Sequence, residues 1–264
     1  MKDVERLLEI MARLRDPENG CPWDREQTHA TILPYTVEEV YEMAEAIQAG
    51  NTAALKEELG DLLFQIVFYC QMSRESGDYE FADIVNNLNQ KMLRRHPHVF
   101  ADETIATAVE QSLNWEQIKD EERKVAGIES DHLLDGISKA LPALIRAMKL
   151  QKKAATVGFD WDSPGPVLDK IEEELSEIRE EVNENIDKHK LQDEIGDILF
   201  AVVNFARHYG IDAETALMKA NRKFKQRFDY IESSLKEQGR TLDEADLDEM
   251  ETLWKEAKKV RGDE

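Results

Sequence analysis

The sequence predicts an all-α protein that contains one helical unit twice. Three observations support this: apolar residues recur with helical spacing, turn residues separate the periodic stretches, and one motif occurs in two copies. The motif is EELGDLLFQIVFY at 57–69 and DEIGDILFAVVNF at 193–205. No stretch has a convincing strand pattern, so a sheet is not expected.

The helices are expected in the following order. An amphipathic helix opens the chain, with Val4, Leu7, Leu8, Met11 and Leu14 on one side. The first unit continues with helices over 36–49, 53–76, 79–95 and 109–124, and the second has helices over 138–156, 165–186, 189–209, 212–237 and 246–260. Glycine, proline and asparagine mark the boundaries, at Gly20-Cys21-Pro22, Asn51, Gly77, Pro97, Gly158, Pro164-Gly165-Pro166, Gly210 and Gly239.

Matches beyond the motif show that the repeat is a tandem duplication. EEVYE at 38–42 returns as EELSE at 173–177, and NQKMLRR at 89–95 returns as NRKFKQR at 221–227. The blocks keep their order with little drift in spacing, as an internal repeat requires. We therefore expect an N-terminal domain at 1–125, a linker at 126–136 and a C-terminal domain at 137–264.

Composition excludes several classes of partner. The net charge is −22, so the chain should repel nucleic-acid polymers and anionic membranes. No apolar stretch is long enough to span a bilayer. Cys21 and Cys70 match no CxxC pattern and are expected to be free thiols, which favours a cytoplasmic protein.

The repeated motif places charge in an apolar setting. Glu58 and Asp61 stack on one face of a helix that is apolar almost all round and is therefore expected to be buried. Buried carboxylates need compensation, and the preceding helix adds Glu39 and Glu42. Four carboxylates from two packed helices suit Mg²⁺, with Mn²⁺ as a substitute.

The second copy repeats this quartet as Glu174, Glu177, Glu194 and Asp197. A single pair of acids on a helix is most often a solvated face, but the apolar helices and the double occurrence favour metal binding. A di-iron bundle would need Glu-x-x-His on core helices. The two such strings, Glu26 to His29 and Glu129 to His132, lie in the entry segment Pro22–Pro34 and in the linker, so neither accompanies the acid pairs, which counts against that alternative.

The two copies differ in the basic residues beside the acids. Lys170 precedes Glu174 by four residues and Lys190 precedes Glu194 by four, whereas the first copy has Tyr35 and Ala54 at the corresponding positions. Two lysines near a metal can hold phosphate oxygens, although each can also be a simple surface ion pair. We therefore assign catalysis to the second copy.

Further nucleotide contacts are expected from Glu173 and from the downstream residues Lys223, Arg227 and Trp254. Lys223 and Arg227 do not separate the two halves, because Lys91 and Arg95 repeat them. Trp254 can stack on a base or anchor the last helix, and the sequence leaves both alternatives open.

The ordered strings GCPWDREQTHATILPYTVEEVYE, ELGDLLFQIVFY, RRHPHVF, VGFDW and KANRKFKQRF closely resemble the MazG nucleoside triphosphate pyrophosphohydrolases. The resemblance covers essentially the whole chain, including the tandem arrangement. It implies two MazG-like helical bundles, a homodimer and Mg²⁺-dependent hydrolysis of NTPs or dNTPs between the α and β phosphates. It also implies a broad substrate range and a house-cleaning or stress-related role.

The residues favour the same chemistry, since no Ser–His or Cys–His arrangement points to a covalent intermediate and direct attack by water is simpler. The main alternative is a non-catalytic, dimeric nucleotide-sensing or scaffold protein. The first half alone has a second alternative, a regulatory or dimerisation module.

Overall fold

The computed structural model of the protein describes residues 2–101, 132–184 and 187–261, together with positions 107, 111, 114, 115, 118, 121, 122 and 127. The chain divides into two compact units, Met1–Ile128 and Glu129–Glu264. The described residues form helices and turns without a strand, which confirms the all-α class.

The first unit contains helices that we number in chain order: α1 (Lys2–Leu14), α2 (Pro22–Glu26), α3 (His29–Ala49), α4 (Thr52–Ser76), α5 (Phe81–Arg95) and α6 (Pro97–Phe100). Gly50 ends α3 with a φ of 64°, and Asn51 starts α4 by accepting hydrogen bonds from the backbone N–H groups of Ala53 and Ala54. The expected helix over 109–124 lies mostly outside the described residues. Of the positions described there, 111, 114, 115, 118, 121 and 122 are helical.

The expected start of α3 at residue 36 was wrong, because the helix begins at His29. Thr28 and Thr31 form a reciprocal cap in which the Thr28 backbone N–H donates to Thr31 Oγ1 at 2.8 Å. The helix then continues through Pro34, which removes one backbone hydrogen bond without ending it. Pro34 therefore does not mark a boundary of this helix.

Antiparallel packing of α3 on α4 forms the centre of the first unit, and α1 packs on α4. The core is a cluster of buried apolar side chains: Met11, Ile32, Val67, Phe68 and Met72. This arrangement brings the acids of α3 opposite those of α4.

The second unit contains α7 (Ala143–Ala155), α8 (Gly165–Glu184), α9 (Lys188–His208), α10 (Ala213–Glu237) and α11 (Leu247–Arg261), with a short 3-10 turn at Leu242–Glu244. The expected start of α7 at residue 138 was wrong by five positions. Pro142 caps the helix and biases Leu141 away from helical backbone, so regular helix begins at Ala143. Asp187 caps α9 by accepting from the His189 backbone N–H at 2.9 Å.

Packing in the second unit parallels that in the first, since α8 lies along α9 and α7 packs on α9. A second apolar cluster joins α10 to α11 and contains Ile231, Leu235 and Leu253. The site acids again lie on the two helices that pack most extensively, here α8 and α9.

The expectation that α4 is a buried helix was only half correct. Phe68 and Val67 on one face are fully buried, but Leu59, Leu63 and Ile66 are 49%, 39% and 40% exposed within the chain. The counterparts on α9, Ile195, Leu199 and Val202, are exposed to a similar extent. We name these six residues the apolar stripes. A helix whose sequence is apolar on all sides can therefore keep one face exposed within its own chain.

None of the described helices has the length and hydropathy needed to cross a membrane. Cys21 and Cys70 are both free thiols, as expected, and Cys70 is buried. Of the expected linker, 126–136, the structure describes Gly127 and residues 132–136, and the other positions lie outside the described residues.

Candidate functional site

The acids of the second unit converge between α8 and α9. One carboxylate oxygen each from Glu174, Glu194 and Asp197 lies within 4.8 Å of the others. Glu177, one turn beyond Glu174 on α8, shares a hydrogen bond with Glu194. The i, i+3 spacing on each helix and the packing of the two helices bring all four predicted residues to one place.

Electrostatics at this cluster favour an added positive charge. Burial, the hydrogen bond with Glu177 and the charges of Glu177, Glu174 and Asp197 hold the pKa of Glu194 above its usual range. Glu174 itself is only 4% exposed. Like charges held this closely repel each other unless a cation or a proton intervenes.

Lys170 is the positive group beside these acids. Its Nζ lies 2.7 Å from a carboxylate oxygen of Glu174 and 2.8 Å from one of Glu173. Hydrogen bonds to Glu173 and Glu174 hold the pKa of Lys170 above its usual range, so it is fully charged at neutral pH. One lysine does not neutralise four carboxylates.

The first unit has a matching acid cluster between α3 and α4. Oxygens of Glu39, Glu58 and Asp61 lie within 4.8 Å of one another. Burial, followed by the charges of Asp61, Glu42 and Glu58, raises the pKa of Glu39, and burial and the Glu42 charge raise that of Glu58. Within the described residues none of Glu39, Glu58 and Asp61 forms an ion pair.

Both clusters fit a hard divalent cation. Their donors are carboxylate oxygens only, as Mg²⁺ and Mn²⁺ prefer, and in each cluster burial and the neighbouring carboxylates raise the pKa of a carboxyl. Metal binding to such a set competes with protonation, so the same crowding that raises the pKa also favours a cation.

A cavity of about 610 Å³ in the second unit reaches the acids. Glu174, Asp197 and Lys170 form part of its wall, together with apolar and aromatic side chains that include Phe159 and Trp161. Its volume is in the range of small-molecule sites. The cavity therefore joins the charged cluster to an apolar space of ligand size.

The other predicted nucleotide residues lie in different surroundings. Lys190 Nζ lies 3.2 Å from Glu181 on α8. The Arg227 guanidinium lies 5.4 Å from the centre of the Trp254 ring, and the same ring contacts Phe224. Lys223 is exposed. Trp254 packs against the α10–α11 apolar cluster, as the anchoring alternative requires. Of the described basic residues predicted here, Lys170 alone belongs to the cavity wall.

Sequence reasoning missed four polar residues in and around this cavity: Gln151, Asp160, Asn204 and Arg207. The available signal was an amide within an apolar run, since FAVVNF at 200–205 carries Asn204 where FQIVFY at 64–69 carries Phe68. Arg207 forms an ion pair with Asp160 and donates to Asn204.

The strings considered for a di-iron centre do not join either acid cluster. His29 opens α3 and contacts Ser73 through Nε2 at 3.2 Å. Glu129 lies outside the described residues. The metal-competent groups found among the described residues consist of carboxylates.

Comparison with known proteins agrees with this geometry. The profile of the MazG nucleotide pyrophosphohydrolase domain matches residues 27–100 and again 163–231. The chain is 51% identical over 260 residues to the nucleoside triphosphate pyrophosphohydrolase of Escherichia coli K12, covering 98% of each chain. It is 43% identical over 254 residues to the nucleoside triphosphate pyrophosphohydrolase/pyrophosphatase MazG of Thermotoga maritima, covering 96% of this chain and 95% of the relative. The chain therefore belongs to the MazG nucleotide pyrophosphohydrolase family, whose domain it contains twice.

Proposed function

We propose that this chain hydrolyses nucleoside triphosphates and deoxynucleoside triphosphates between the α and β phosphates, releasing the monophosphate and pyrophosphate. Family membership makes the chain a nucleotide pyrophosphohydrolase. The observation that supports the assignment of the site is the cluster of Glu174, Glu194 and Asp197, of which Glu174 and Asp197 line a cavity of ligand size. Water adds across the anhydride, so one product gains its hydroxyl and the other leaves with the bridging oxygen.

Each charged residue of the site in the second unit has a proposed role that follows from its position. Glu174, Glu177, Glu194 and Asp197 would hold Mg²⁺ or, in its place, Mn²⁺. Such a cation neutralises triphosphate charge and lowers the pKa of an attacking water. Lys170, at the boundary between the acids and the cavity, is placed to hold a phosphate oxygen.

We assign catalysis to the second unit and a regulatory or weakly active role to the first. Both units can gather carboxylates, but Lys170 has Tyr35 as its counterpart, whose ring packs edge-on against Trp23 at 5.7 Å. A metal–triphosphate complex still carries negative charge, so a site without a nearby cation binds it less well.

A homodimer is part of the same proposal. The apolar stripes on α4 and α9 are exposed within the chain, and burial of apolar area is the main driving force for association. The stripes lie on the helices that carry acids, so a second copy that covers them would also enclose the site. We further propose a cytoplasmic location, which the two free thiols support.

The test is an assay of the purified chain with Mg²⁺ and a panel of ordinary and damaged NTPs and dNTPs. Equal amounts of monophosphate and pyrophosphate are expected for several bases, in line with a broad house-cleaning role. Release of orthophosphate alone would contradict cleavage at the proposed bond. Nucleotide binding without any release would favour the nucleotide-sensing or scaffold alternative.

A further inference from the structure

The cavity of the second unit extends beyond what metal and phosphate binding require. Its apolar wall contains three aromatic side chains, Phe159, Trp161 and Phe200, which are 81%, 43% and 45% exposed. Aromatic rings open to a cavity are surfaces on which a base can stack, and such stacking is tolerant of base identity. Glu174 and Asp197 belong to the same wall.

Two buried amides in this wall have their orientations set by their partners. Asn204, 5% exposed, accepts a hydrogen bond from Arg207 Nε at 2.9 Å through Oδ1. Because a guanidinium only donates, the amide oxygen must face Arg207, and the NH₂ group of Asn204 stays available. Arg207 is itself held by an ion pair with Asp160.

Gln151, 8% exposed, is held in the opposite way, through its NH₂ group rather than its oxygen. Its Nε2 donates to the backbone carbonyl of Phe200 at 2.8 Å, and a carbonyl only accepts. Its Oε1 is buried and has no hydrogen-bond partner among the described residues. An unpaired buried acceptor costs free energy that a donor from a ligand would recover. Gln151 thus brings a buried acceptor without a partner to this wall, and Asn204 brings an NH₂ group.

The first unit has a buried aromatic side chain at the corresponding place. Phe68, the counterpart of Asn204, is fully buried in the core cluster. Trp23, the counterpart of Trp161, packs edge-on against Phe68 at 6.5 Å, and the Arg15 guanidinium lies over the Phe68 ring at 5.4 Å. An aromatic core contact therefore stands where the second unit has an amide on a cavity wall.

We infer that Asn204 and Gln151 are specificity-determining residues that bind the nucleobase, and that Phe68 excludes a base from the first unit. This rests on the proposed function and deepens it. The Watson–Crick edge of each common base carries a donor next to an acceptor, so one amide of each polarity can pair with any of them. The amide pair thereby selects for the presence of a base rather than for its identity.

The test compares wild type with Asn204→Phe, which introduces the residue of the first unit, and with Asn204→Leu, which removes the amide but not the space. Binding of a non-hydrolysable α,β-imido NTP with Mg²⁺ is measured by calorimetry beside inorganic tripolyphosphate, which has no base. Asn204→Phe should weaken nucleotide binding about 10- to 100-fold, from lost stacking and pairing. Asn204→Leu should weaken it about fivefold. Tripolyphosphate affinity should stay within about twofold of wild type for both variants.

Unchanged nucleotide affinity in Asn204→Phe would overturn the inference, and so would an equal loss for both ligands, which would place Asn204 at the phosphate end. If Asn204→Phe does not fold by circular dichroism, Gln151→Leu replaces it with the same expectation of a loss confined to the nucleotide. Wild-type protein that releases pyrophosphate while these variants bind nucleotide normally would refute only the base assignment. Wild-type protein that neither binds nor hydrolyses NTPs would refute the proposed function as well.

Discussion

The Nζ of Lys170 lies 2.7 Å from a carboxylate oxygen of Glu174, one turn further along α8. Glu174 is buried and belongs to the acid cluster, so this contact places a full positive charge at the edge of the proposed metal site. A surface ion pair at this spacing is worth only tenths of a kcal/mol. Lys170 contributes more than this if it also binds a phosphate oxygen of the triphosphate.

The two lysines predicted to bind phosphate should therefore differ in effect. Lys170→Met should lower kcat/KM by one to two orders of magnitude, because a lost charge-assisted contact costs about 1.5–3 kcal/mol. Lys190 contacts Glu181 and does not belong to the cavity wall, so Lys190→Met should lower kcat/KM by less than about fivefold. Steady-state kinetics on one substrate compare the two, and an equal loss for both variants would contradict the different placement.

The second prediction uses the matched acids of the two units. Asp197→Asn should nearly abolish hydrolysis, whereas Asp61→Asn should leave most of it, because the second unit combines its acids with Lys170 on a cavity wall, and Tyr35 is the first-unit counterpart of Lys170. Both variants are assayed on the same substrate after circular dichroism confirms their folding. Equal losses of activity would show that both units contribute to hydrolysis. A larger loss in Asp61→Asn than in Asp197→Asn would assign catalysis to the first unit.

Removal of divalent cations should stop turnover. Chelation with EDTA should inactivate the enzyme, and Mg²⁺ or Mn²⁺ should restore activity. Glu174→Gln and the matched variant Glu39→Gln should each reduce Mn²⁺ binding in a direct titration, since each removes one ligand from its cluster. Only Glu174→Gln should reduce hydrolysis. Undiminished turnover after chelation would refute the metal-dependent mechanism.

The exposed apolar stripes predict that the protein is a homodimer. Sedimentation at micromolar concentration should give twice the chain mass of 30.4 kDa. Leu63→Glu combined with Leu199→Glu should shift the protein towards the monomer, because both positions would bury an unpaired charge in the dimer. Asn86→Glu on α5, an exposed position outside the stripes, serves as the control. A stable wild-type monomer would mean that no second copy covers these faces.

The last prediction concerns pH and the first unit. Hydrogen bonds from Arg95 and Arg94 lower the pKa of Glu122 from 4.5 to about 2. A carboxyl with a lowered folded-state pKa stabilises the fold above its unfolded pKa, and this contribution is lost as the pH falls from 4.5 towards 2.

Glu122→Gln should lower the unfolding temperature of the first unit at pH 7 by about 2–4 °C, since partly exposed ion pairs are worth under about 1 kcal/mol. The difference from wild type should shrink as the pH falls below 4.5, because protonated Glu122 resembles glutamine. Calorimetric scans at several pH values measure this difference in unfolding temperature, with the neighbouring Glu121→Gln as the control. A difference that stays constant with pH would show that Glu122 acts through packing.

Several features of this protein could be predicted from sequence because local patterns encode them. Helical periodicity and turn residues predicted the all-α class, and the two copies of the motif predicted the tandem arrangement. The i, i+3 spacing of Glu58 and Asp61, and of Glu194 and Asp197, predicted that each pair shares a helical face. These inferences need only the geometry of one helix and the order of residues along it.

Tertiary structure decided which surfaces are covered and what each side chain meets. Packing buried Phe68 while leaving Leu63 exposed on the same helix. The contrast between Asn204 on a cavity wall and Phe68 in a core became visible only once α7 and α9 were packed together. Burial and partner choice depend on contacts between residues far apart in the chain, and helical periodicity carries no information about those contacts.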